Sequence, residues 1–153
     1  MATTLLILHG LVAVALLGAI THQTLAAWAP TGGRRATFFR RFRAVPPAGF
    51  ANAIAVLYLA AALLGGIVYL YFKLDIAPDL ERDRQWQAVG LFDLKEDFVA
   101  IGLGLLPAYW VCWRRFAEVT GRTGAILTAL LAFIAWWSFL IGHILNNIRG
   151  FGS

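Results

Sequence analysis

Charge is scarce in this chain. Asp, Glu, Lys and Arg make up only 14% of its 153 residues, against 60% that are hydrophobic. A soluble domain carries about 25% charged residues and needs them to cover its surface. The shortage excludes a soluble enzyme, a nucleic-acid module and a disordered tail, and the length leaves room for one domain. Cysteine is scarcer still. Cys112 stands alone, so an intramolecular disulfide, a thiolate zinc cage and a c-type haem attachment are excluded. Walker, GxGxxG, GxSxG and HExxH motifs are missing as well. The polar connections are too short for a catalytic domain, so any chemistry must use the apolar runs.

Those runs are what the sequence has. They are Leu5 to Ala29, Ala51 to Phe72, Phe98 to Trp113 and Ala125 to Gly142. About 20 apolar residues cross a hydrocarbon core of about 30 Å. The first two suffice; the last two, with 16 and 18 residues, fall short and must borrow polar neighbours or thin the bilayer. The first run is too long for the apolar region of a cleaved leader and has no preceding base, so it reads as a retained helix. The expected fold is all-α: an integral membrane four-helix bundle, up-down-up-down, forming one transmembrane domain. Its helices are expected at about 4–29, 51–73, 94–113 and 124–148.

The charges assign the connections. Basic loops at 30–50 and 114–123 hold Arg34, Arg35, Arg40, Arg41, Arg43, Arg114, Arg115 and Arg122, with Glu118 as their one acid. The remaining bases are outnumbered by acids around the acidic loop at 74–93. The net charge of +5 therefore divides into +7 on one side and −2 on the other. The positive-inside rule places the basic loops in the cytoplasm and both termini outside, in a bacterial-type inner membrane. The partner implied is the lipid bilayer, not nucleic acid; a larger membrane complex or a homo-oligomer is a further possibility. Trp28, Trp110 and Trp113 are expected at the cytoplasmic interface. In the acidic loop, Ile76, Leu80 and Trp86 suit a short interfacial helix facing the bilayer.

The short runs draw polar residues inward at one end. His9 lies about 9 Å into the first helix, and His143 about 8 Å into the fourth from its far end. Glu96 and Asp97 lie about one turn into the third. Ionisable groups at membrane depth usually face the protein interior. We therefore take His9, His143, Glu96 and Asp97 as candidate metal ligands. Asn146, Asn147, Asp93 and Lys95 are supporting neighbours, and His22, near the opposite end, is a weak candidate. Asn147, Trp136 and Leu140 share a helical face with His143, as Asp93 does with Glu96 and Asp97. Gly10, Gly18 and Gly142 suit the edge of a haem, and Gly65-Gly66 and Gly102/Gly104 suit close helix contacts. Pro107 is expected to kink the third helix.

Several readings follow. Two His and a carboxylate suit iron, copper or zinc. Two axial His from different helices suit a haem b. Alternatively, His9 and His143 simply hydrogen-bond across helices to Glu96, Asp97 or Asn146. A proton or ion path through a small transporter is disfavoured because the middle of every run is almost wholly apolar. The favoured expectation is a small redox or metal-handling membrane protein, with a non-catalytic accessory subunit of a larger energy-transducing complex as the alternative. The opening Leu8-His9-Gly10, followed by Leu17-Gly18, resembles the first helix of several small four-helix haem and copper membrane proteins; no functional residue is carried over from that likeness.

Overall fold

The computed structural model describes residues 2–28, 45–115 and 121–148. In chain order the helices are α1 (Ala2–Trp28), α2 (Ala51–Tyr71), the short α3 (Ala77–Arg82), α4 (Trp86–Arg115) and α5 (Gly121–Ile148). A 3-10 turn at Pro47–Phe50 leads into α2, and a π-helical turn at Phe72–Ile76 carries α2 on into α3. No strand occurs among the described residues. Arg34 to Arg43, Glu118 and Arg149 lie outside them.

Three segments are long and apolar enough to cross a membrane: Thr3–Trp28, Pro47–Arg82 and Gly121–Asn147. The fourth long helix, α4, spans 30 residues, but Asp97 and Arg114 confine its charge-free stretch to 16. It runs uninterrupted through Pro107. Segment 74–93, expected as a loop, is helical almost throughout. α3 closes in a Schellman motif: Gln85 N–H donates to Leu80 O at 2.8 Å and Arg84 N–H to Glu81 O at 3.0 Å. Arg84 takes the left-handed position with φ 60°. Leu80 turns inward rather than toward lipid, joining Phe72, Ala77, Ala88, Val89 and Phe92 in a small second core, while Trp86 is exposed.

The long helices pack in a ring: α1 on α2 and α5, and α4 on the same two. Gln23 Nε2 donates to Pro47 O at 2.8 Å, joining the end of α1 to the start of α2. Trp110 Nε1 reaches Asn52 at 2.9 Å, Trp113 Nε1 reaches Thr128 at 2.9 Å, and Trp28 Nε1 reaches the Ala125 carbonyl at 3.3 Å. Each long helix is thus antiparallel to both neighbours.

The buried residues keep a strict spacing. α2 buries Ala51, Ile54, Tyr58, Ala61, Gly65 and Val68, alternating three and four residues apart. α4 does the same with Ala88, Phe92, Lys95, then Gly102, Leu106, Tyr109 and Trp113. That spacing gives interlocking seams like those of coiled coils. The opposite faces are apolar too: Leu11, Leu63, Ile101 and Phe133 are all more than half exposed. Helices apolar all round belong in a membrane.

Glycines form sockets along the seams. A Cβ at Gly65 would lie 3.0 Å from His9 Cε1 of α1, and one at Gly102 would fall inside the Tyr58 hydroxyl of α2. Tyr58 donates from that position to Val99 O at 3.3 Å. Across α4 and α5, Trp113 fills the space over Gly124 at 3.1 Å, and Lys95 Cε passes Gly142 at 3.8 Å. Gly66 and Gly104 face open space. Substituting Gly102→Leu should cost about 1–3 kcal/mol by overpacking, whereas Gly104→Leu should leave stability nearly unchanged. Thermal denaturation of the two variants in detergent distinguishes them, and equal losses would break the socket argument.

Candidate functional site

One end of the bundle is packed solid. Ile20, Ile54, Leu131 and Tyr109 fill it completely buried. Most of its buried polar groups are satisfied through named bonds. Tyr109 O–H donates to Gln23 Oε1 at 2.7 Å, and Gln23 passes the chain to Pro47 O. Trp113 donates to Thr128 Oγ1, whose hydroxyl donates to Gly124 O at 2.7 Å. Trp113, expected at an interface, is therefore a core residue, while Trp28 and Trp110 are exposed. His22 lies at this end, its ring stacked on Phe50 at 4.8 Å.

The other end encloses a cavity of about 400 Å³. It is formed by the start of α1, the end of α2, the start of α4 and the end of α5, with the π turn and α3 across them. Its floor is Leu16, Leu17, Tyr58, Val99 and Ala135, and Phe72, Ile76, Leu80 and Phe92 form its covered side. The cavity reaches the surface at Ile7 and His143, which border it and are both exposed.

Polar groups interrupt this apolar wall at few points: His9, Lys95, Glu96, Ser138, His143 and Asn146. Lys95 is 7% exposed. Its ammonium meets Glu96 Oε1 at 2.5 Å and stands 4.4 Å from the centre of the Phe92 ring. A lysine buried in apolar surroundings is tolerable only when paired in this way. The seam spacing forces the burial, since Lys95 occupies an inward position of α4 and crosses Gly142. His9 borders the cavity from α1. Its Nδ1 is buried with no partner among the described residues, as are Ser138 Oγ and Asn146 Oδ1.

The structure therefore brings together His9, Glu96, His143, Lys95 and Asn146 from the expected set, and leaves the others apart. Asp97 is exposed and does not border the cavity. Asp93 pairs with Lys73 at 2.7 Å and accepts from Tyr69 at 3.2 Å, tying α2 to α4 outside the cavity. Asn147 donates to His143 O at 2.9 Å within α5 and is exposed. The face shared by Trp136, Leu140, His143 and Asn147 points outward. The inward stripe is Ser138, Gly142 and Asn146, each four residues from the next. The expected cross-helix bonds from His9 and His143 do not form: His143 is bonded within its own helix. Of the glycines suggested for a haem edge, Gly10 and Gly142 border the cavity and Gly18 is exposed.

Sequence reasoning overlooked Ser138 and Tyr58 as cavity residues and Gln23 as a core hub. The signal was available for Ser138, because small or polar residues recur four apart at Ser138, Gly142 and Asn146. For a metal, the chemistry is mixed: no three His, Cys, Asp or Glu converge among the described residues, and Lys95 places a cation in the same space. No protein-family profile matches the chain, and no curated protein or solved structure matches it either.

The Lys95–Glu96 pair makes a direct prediction. Glu96→Gln should destabilise the bundle by about 3 kcal/mol, because a buried ammonium loses its counter-charge. The double variant Lys95→Met/Glu96→Gln should recover most of that loss. Equal stability of the native chain and Glu96→Gln in detergent melting would show that the pair is solvated rather than buried.

Proposed function

We propose that this chain is a four-crossing protein of a bacterial-type inner membrane, with both termini on the non-cytoplasmic face. We further propose that it binds a small, largely apolar molecule in the cavity at its outer end. Membrane placement is supported by the apolar outer faces and the three helices long enough to span. Because α4 lies antiparallel between α2 and α5, it crosses with them. The division of charge, +7 against −2, supports the orientation.

One observation carries the binding reading: the contrast between the two ends of the bundle. Where the helices pack solid, most buried polar groups find named partners. Around the cavity, three buried polar atoms do not. Orphaned buried polar atoms are uncommon and costly in native proteins. A cavity of about 400 Å³ falls in the range of small-molecule sites, which pair apolar walls with a few convergent polar groups. The opening at Ile7 and His143 gives a lipid-soluble molecule lateral access.

Native mass spectrometry from detergent tests this reading. The native chain should carry a small-molecule mass increment that Ala135→Phe, which fills the cavity floor, removes. No increment from the native chain, under extraction that retains lipids on control proteins, would count against a binding site.

A second reading keeps the redox role. His9 and His143 border the same cavity, an arrangement compatible with two axial ligands to a haem b, or with a transition-metal ion that also takes Glu96. Protein from iron- and copper-supplied cells should then show a Soret band or bound metal, lost in both His9→Ala and His143→Ala. Absence of both signals would dispose of this second reading and leave the first standing.

A further inference from the structure

We infer that the occupant of the cavity is a quinol-type molecule: a flat apolar ring with a hydroxyl at each end. The inference rests on the cavity being a binding site and names what that site selects.

Charge comes first. Lys95 is already compensated by Glu96 at 2.5 Å, so the polar wall is neutral overall. An anionic head would face Glu96 and a cationic head Lys95, each desolvated in an apolar space. The occupant is neutral.

Hydrogen bonding comes next. Nδ1 of the His9 ring is buried with no partner among the described residues. With its proton on Nε2, neutral imidazole offers Nδ1 as an acceptor. Asn146 Oδ1 is an acceptor by chemistry, also buried and unpartnered among the described residues. One acceptor is on α1 and the other on α5. A ligand that satisfies both must donate at two separated points. Ser138 Oγ, four residues before Gly142 on the same stripe, either donates or accepts.

Shape comes last. The space between these acceptors is apolar and walled in part by the rings of Phe72, Phe92 and Phe139. A rigid ring holds two hydroxyls apart without loss of rotamer freedom, and its faces stack on aromatic walls. A quinol meets all three requirements. The oxidised quinone keeps the shape but replaces both donors with acceptors, so it leaves His9 Nδ1 and Asn146 Oδ1 unsatisfied. The site therefore discriminates between the two redox forms.

The experiment is equilibrium binding to the purified full-length chain in detergent, without oxygen. The probes are a ubiquinol with one isoprene unit, its quinone, decanoate and 1,2-decanediol. The quinol should bind at least about tenfold more tightly than each of the others, the sum of two hydrogen bonds of ordinary strength. His9→Phe and Asn146→Leu should each weaken quinol binding about fivefold and leave quinone binding nearly unchanged. Leu63→Ala, on the outer face of α2, should alter neither. The preference of the native chain is informative even if a variant fails to fold. Quinone binding as tight as quinol overturns the donor argument, and decanediol binding as tight overturns the ring. If decanoate or the quinone binds best and Ala135→Phe abolishes it, the cavity is a binding site for other chemistry and only the quinol inference falls. If no probe binds and no molecule co-purifies, the binding reading falls with it.

Discussion

Three of the four helix interfaces turn on a large polar side chain seated where the facing helix has a glycine. His9 of α1 rests on Gly65 of α2, Tyr58 of α2 on Gly102 of α4, and Lys95 of α4 on Gly142 of α5. In hydrocarbon, association draws little from the hydrophobic effect, since lipid tails are as apolar as leucine. Steric fit and a few hydrogen bonds must fix the arrangement. Because the knobs are polar, the same sockets that order the bundle also deliver its chemistry to the interior. The seam and the site are one device, and moving either His9 or Lys95 off its glycine would change both.

The two ends of the bundle use polar groups in opposite ways. At the solid end, Tyr109, Gln23 and the Pro47 carbonyl form a closed chain, and Trp113, Thr128 and Gly124 form another. These networks fix the helices against each other. At the cavity end, one charged pair is closed and three polar atoms are left open. A structure that can satisfy Gln23 with no exposure at all does not leave Asn146 Oδ1 unpartnered for lack of means. On the proposed binding reading, the difference marks where rigidity gives way to recognition.

Much of the architecture was legible in the sequence because length and composition carry it. Four apolar runs gave four long helices, and the shortfall in the third run is the reason α4 alone falls outside the spanning class. That His9, Glu96 and His143 lie near the same end was legible as depth along each helix, and all three border the cavity. Facing was not. Helices that are apolar on every side offer little contrast for choosing an inward face, so Trp136, Leu140 and His143 looked as suitable as Ser138, Gly142 and Asn146. Lys95 read as a snorkelling anchor or as a partner to Glu96 or Asp97, and the pairing with Glu96 is present; only the three-four spacing of Phe92, Lys95, Val99 and Gly102 places it inside. The acidic connection misled for a different reason. Its charge suggested a loop, yet Asp79, Glu81 and Asp83 occupy the outer side of a helical turn whose other side carries Ala77 and Leu80.

The π turn at Phe72–Ile76 sets the roof of the cavity by arithmetic. A π turn holds one residue more than an α turn, and each α-helical residue advances the chain by about 100°. Removing one residue there would restore ordinary pitch while keeping every side chain downstream. The downstream faces would then stay nearly in place, because four α residues turn the chain about as far as five π residues; winding all five at α pitch would instead swing α3 by about a quarter turn, carrying Leu80 off the cavity and Asp79 toward it. The closure over the site is thus encoded in a count of residues as much as in their identities. A change in the winding of this one turn without a matching change in its residue count is a route by which the same bundle would acquire a differently shaped chamber.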